Sequence, residues 1–155
     1  MRETSNQTYC IEEAPLHWAI RYGGKHMLLP TIKMIEAKLA QLKIGEVITL
    51  SQLGAWLAAD TRSAKFTCPI TLWHLVRKTA LRAEKSNLNA QQPTPWWRII
   101  KDGGLLLRNF PGGKERQALL LEMEGHTIAH KIGKDWAVTD FDQPTVVETL
   151  ENIAG

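Results

Sequence analysis

Two tryptophans stand side by side at Trp96 and Trp97, between Pro95 and Arg98, in the stretch TPWWRII. Neighbouring side chains on a strand point to opposite faces. Read as a strand, the stretch sends one Trp into a core and leaves the other in need of a second purpose. The run that follows, RIIKDGGLLLRNF, is β-type residues on both sides of Asp102-Gly103-Gly104, which predicts a hairpin.

Upstream, the pattern is helical. After Thr31, IKMIEAKLAQLK places Ile32, Met34, Ile35, Leu39 and Leu42 at helical spacing, with an end before Gly45. EVITL is short and β-branched, as a strand would be. Ser51 is positioned to cap a second helix over QLGAWLAAD. The turn TRSAKFTCP closes at Pro69. ITLWHLVRKTALRAEK then predicts a third helix, with Leu72, Leu75, Val76 and Leu81 as its buried stripe. After the hairpin, PGGKERQALLLEMEG turns into a last helix that ends near Gly125. Residues 1–13 read as irregular, and SNLNAQQPTP reads as a polar linker.

This order predicts a mainly α fold with a small β component, arranged as a winged helix-turn-helix, whose third helix commonly enters DNA. The expected organisation is an N-terminal extension packed on the core (1–28), the winged-helix domain (29–128) and an acidic C-terminal tail (129–155).

The charge distribution agrees with a polyanion-facing middle. Residues 70–116 hold 9 Lys+Arg against 3 Asp+Glu, whereas residues 117–155 hold 2 against 7. With 44% hydrophobic and 23% charged residues, the chain has the composition of a folded domain rather than a disordered one. No apolar run approaches the ~20 residues of a membrane span. The start MRETSNQTYCIEE lacks an apolar signal segment, so the cytoplasm is the expected compartment. Cys10 and Cys68 form no Cys-x-x-Cys pair, and the five histidines show no ligand spacing, so neither a metal nor another cofactor is expected.

Three motifs carry a family resemblance, from about Leu29 to Ile128. IGEVITLSQLGAWLA, TPWWRII and NFPGGKERQALLLEMEG follow one another in the order of the DNA-binding domain of the methylated-DNA–protein cysteine methyltransferases, the alkylguanine-DNA alkyltransferases. The first resembles that family's Gly-x-Val-x-x-Tyr segment. The second stands in place of Pro-Cys-His-Arg-Val, and the third resembles its Tyr-Ser-Gly-Gly turn and the helix after it. The resemblance puts the reactive cysteine at Trp96, its histidine at Trp97 and the histidine-orienting carboxylate at Glu124. The tyrosine falls at Leu50, and the intercalating arginine falls near Trp73.

An indole is neither a nucleophile nor a titratable base, so alkyl transfer by this motif is excluded on chemical grounds. Within the family, the chain resembles the alkyltransferase-like branch, which lacks the reactive cysteine. Those proteins hold alkylated guanine and pass the lesion to excision repair, but they usually keep the histidine that is Trp97 here.

The resemblance and the charge pattern together imply a non-catalytic, monomeric protein. Its expected partners are duplex DNA, alkylated or not, and an excision-repair protein. Ser51, Thr71, Trp73, His74, Arg77, Lys78 and Arg82 are the expected DNA contacts. Leu50, Trp96, Trp97, Arg98, Phe110, Pro111, Gly112, Gly113 and Glu124 are the expected base pocket. Trp96 either walls that pocket as a stacking platform or fills it. The glycines of FPGG, which let backbone approach a bound group, favour an open pocket. A winged-helix regulator without a pocket and a protein-interaction module are the alternatives.

Overall fold

The computed structural model describes residues 9–86, 93–130 and 135–139. The linker 87–92 and most of the acidic tail lie outside the described residues. The fold is mainly α with a small β component.

Three helices form the frame. Helix α1 spans Leu16–Tyr22, α2 spans Ile32–Leu39 and α3 spans Leu50–Ala59. The cap of α3 is Thr49 rather than Ser51. Its hydroxyl accepts from Gln52 N–H while Gln52 reaches back to the Thr49 N–H, a reciprocal capping box. The longest helix, α4, runs Pro69–Ser86. Pro69 opens it at a position where no backbone donor is lost. Helix α5 covers Gly113–Met123.

The strands are short. Strand β1 (Cys10–Glu13) is antiparallel to β2 (His26–Leu29), which in turn pairs in parallel with β4 (Phe66–Thr67). Part of the stretch read as irregular is therefore an edge strand. Strand β3 (Ile48–Thr49) pairs in parallel with β5 (Ile99–Ile100), and β6 (Ile128–Ala129) pairs with β7 (Ala137–Val138).

The expected hairpin does not form. Trp96–Arg98 is a 3-10 turn, not a strand. β5 takes β3 as its partner, and Leu105 bridges to Ala137. Asp102-Gly103-Gly104 does make a tight turn, closed by the Lys101 N–H on the Leu105 carbonyl at 2.8 Å. The Gly pair supplies the reversal, but the flanking runs find better partners elsewhere.

One apolar core joins α2, α3, α4 and the segment after Pro95, with Ile35, Leu53, Leu57, Val76, Ile99 and Leu121 all at 0% exposure. On α4 the buried stripe is Leu72, Val76, Thr79, Ala80 and Ala83. Leu75 is half-buried and Leu81 is exposed, so small residues replace them where α4 crosses its neighbours.

Candidate nucleic-acid interface

The buried stripe of α4 leaves an opposite face in solvent. His74, Arg77, Lys78, Arg82 and Lys85 are exposed there, at the three-, four- and seven-residue intervals of one helical surface. Arg77 Nε donates to the Asn109 carbonyl at 2.7 Å, which ties α4 to the loop before α5. Arg82 lies 3.9 Å from Glu36, a loose solvent-exposed contact. Among the described residues Lys78 has no acidic partner. This face can neutralise phosphates.

Trp73 sits at the edge of that face, half-buried, with its ring at 5.4 Å and 71° to Phe110. Phe110 in turn lies 6.1 Å and 26° from Trp96. These three aromatics run from the surface into the core. Thr71 donates to Cys68 Sγ at 3.4 Å and is half-buried, so its hydroxyl is committed to the start of α4 rather than held out to a partner. Ser51 is exposed at the first turn of α3, where its N–H donates to Asp102 Oδ1 at 3.1 Å and its hydroxyl to Oδ2.

Both tryptophans of the pair are buried, Trp96 at 0% and Trp97 at 7% exposure. The alternation expected of a strand fails because the segment turns, so neither indole is sent to solvent. Trp96 Nε1–H donates to Glu84 Oε2 at 3.1 Å, and the other oxygen of Glu84 accepts from Arg116 at 2.9 Å. Trp97 Nε1–H donates to Glu124 Oε2 at 3.0 Å. Arg98 forks onto the same carboxylate, with its terminal nitrogen at 2.8 Å, and also donates to the Leu42 carbonyl at 2.8 Å. Each indole N–H of the pair thus has a partner, as buried groups require.

Burial works against ionisation of Glu124. Hydrogen bonds from Arg98 and Trp97, the Arg98 charge and the Gly45 N–H outweigh it and hold the carboxyl below its usual range.

The residues assigned to one base pocket do not share a cavity. Leu50 lines a cavity of about 390 Å³ with Ser51, Leu72, Trp73 and Asp102. Trp97, Arg98 and Glu124 border a different cleft of about 420 Å³ beside Leu42 and Ile44. Trp96, fully buried, presents no face to either. The indole of Trp96 packs instead against Trp97 and Phe110 in the core.

The glycines once read as a close-approach site have an internal reason. Gly112 and Gly113 adopt φ of +76° and +71°, and a Cβ on Gly112 would lie 2.5 Å from that of Arg116. Pro111 is half-buried in the same turn.

Sequence reasoning missed Glu84, Asp102, Arg116 and Gln117. Gln117 is fully buried, donating to the Trp97 and Ile99 carbonyls at 3.0 and 2.8 Å and accepting from Leu107 N–H at 2.8 Å. A polar residue inside the apolar stripe of α5 was its only signal.

The chain matches no protein-family model and no characterised protein by sequence. Its fold does have a solved counterpart. It is similar to that of S. pombe Atl1, solved in complex with damaged DNA containing O6-carboxymethylguanine. The TM-score is 0.50 at 17% identity, over 74% of this chain and 91% of Atl1. At that identity the likeness is one of fold.

Proposed function

We propose that this protein binds duplex DNA and does no chemistry on it. In this reading α3, the β4 turn and α4 act as a helix-turn-helix, with α4 as the element laid against the duplex. The observation that carries it is the exposed cationic stripe of α4, His74, Arg77, Lys78, Arg82 and Lys85, in a fold similar to one solved with DNA. The non-catalytic part rests on residue type, since by the sequence resemblance Trp96 and Trp97 stand where a reactive cysteine and histidine would, and an indole has no nucleophilic or basic atom to offer.

The same reading leaves out a preference for alkylated guanine. Extruding a base costs a few kcal/mol, which an open pocket must repay. The burial of Trp96 and its bond to Glu84 favour a filled site over an open one. Fluorescence anisotropy with a labelled duplex, plain or carrying one alkylated guanine, tests both parts. Salt-sensitive binding of equal strength to the two duplexes is expected. No binding at low salt would overturn the DNA reading, and a clear preference for the modified duplex would restore the sensor.

A further inference from the structure

Helix α1 is apolar on two opposite faces, yet packs only one of them against the fold. Trp18 packs against the Met27, Phe66 and Cys68 cluster, and Tyr22 stacks on Phe66 with ring centroids 4.6 Å apart. Two residues before each of these, Leu16 and Ile20 point nearly the other way, since each residue turns the helix by ~100°. Leu16 is 75% exposed and Ile20 is 74% exposed. They border a groove of about 550 Å³ with Ala19, Gly23, Lys25 and Lys65. Lys25 and Lys65 line the groove, are exposed and form no ion pair among the described residues, and no acidic side chain lines it.

We infer that this groove is the docking site for the chain's own acidic C-terminal segment, 140–155, which lies outside the described residues. Its sequence carries Asp140, Asp142, Glu148 and Glu151 with no Lys or Arg, and Lys25 and Lys65 of the groove complement that charge. Val146, Val147, Leu150 and Ile153 recur at helical spacing, the anchor pattern of a helix laid in an apolar groove. The reach is short enough. β7 bridges to Leu105, the residue after the Asp102–Gly104 turn, and Asp102 lines the same 390 Å³ cavity as Tyr22 of α1. The residues from Thr139 to Val146 span about 25 Å when extended. A second copy docking through its own α1 would bring like charges together, which disfavours that occupant. The exposed stripe of α4 is the competing site for an acidic segment, and the experiment below separates the two.

The inference is independent of DNA binding and is tested without DNA. Hydrogen exchange of the full-length chain, read by mass spectrometry, compares the wild type with Leu16→Glu/Ile20→Glu. Both positions are exposed, so the core should exchange equally in the two proteins. Tail amides are expected to exchange at least tenfold faster in the variant, and Glu148→Lys/Glu151→Lys should show the same acceleration. In the wild type the protection should be independent of protein concentration. Equal tail exchange in all three proteins would overturn the inference, as would protection that appears only with a dimer in sedimentation. Tail protection lost on adding duplex DNA but untouched by the α1 variant would place the segment on α4 and overturn it too.

Discussion

Trp97 Nε1–H donates to Glu124 Oε2 across 3.0 Å. By its resemblance to the alkyltransferases, Glu124 stands where a carboxylate orients a histidine. Here it holds an indole and neutralises Arg98, at 2.8 Å, so one carboxylate ties both side chains into the fold.

Glu124→Ala is expected to cost about 3–5 kcal/mol, since it strands a buried Arg98 charge. Urea denaturation measures this. The pH dependence follows from the depressed Glu124 carboxyl. Its stabilisation is complete above the unfolded carboxylate range, near 4.3, and fades as the pH falls through the lower folded value. The wild type should therefore lose more stability on acidification than Glu124→Gln does. Parallel curves would deny Glu124 that share.

Trp96→Ala should cost about 3–5 kcal/mol through the cavity it leaves. Binding to plain and alkylated duplexes should change equally. A selective loss for the alkylated duplex, at unchanged stability, would show that the indole is a platform for a base.

Arg77→Ala/Lys78→Ala should weaken binding to every duplex sequence alike and flatten the salt dependence by about one unit of slope per lost contact. Arg77 also holds the Asn109 carbonyl, so Lys78→Ala alone is the cleaner probe of charge. Unchanged binding in both proteins would move the interface off α4.

Incubation with methylated DNA should leave the protein's mass unchanged. Cys68 is buried and Cys10 is exposed, and neither stands in the motif that resembles the reactive site. Stoichiometric methyl on either thiol would contradict a non-catalytic role.

Gly112→Ala should destabilise the fold by about 1 kcal/mol or more, because the left-handed backbone there suits glycine alone. Its Cβ would also press on Arg116. A neutral thermal melt would show that the FPGG turn relaxes freely.

The helices were legible in the sequence because each depends on local information. Thr31 caps α2, Pro69 opens α4 and Gly112-Gly113 opens α5, while apolar spacing marks the core face of each; α2 nevertheless stops at Leu39, earlier than Gly45. The cationic face of α4 was legible for the same reason. On a helix, the periodicity that buries Leu72 and Val76 also fixes what stays in water.

The strand partners and the fate of the two indoles were decided only by the tertiary structure. A run such as WWRII does not encode whether it pairs with LLLRNF or with Ile48-Thr49, because parallel pairing joins segments that are distant in sequence. Once β5 takes β3, the residues before it turn, and both tryptophans fall inside. Their hydrogen-bond partners, Glu84 on α4 and Glu124 after α5, lie 12 and 27 positions away. The sequence by itself determined that no thiolate or imidazole stands at this place. Only the packing of α4 and α5 around it decided that both indoles are buried, because close packing is a property of elements brought together, not of any one of them.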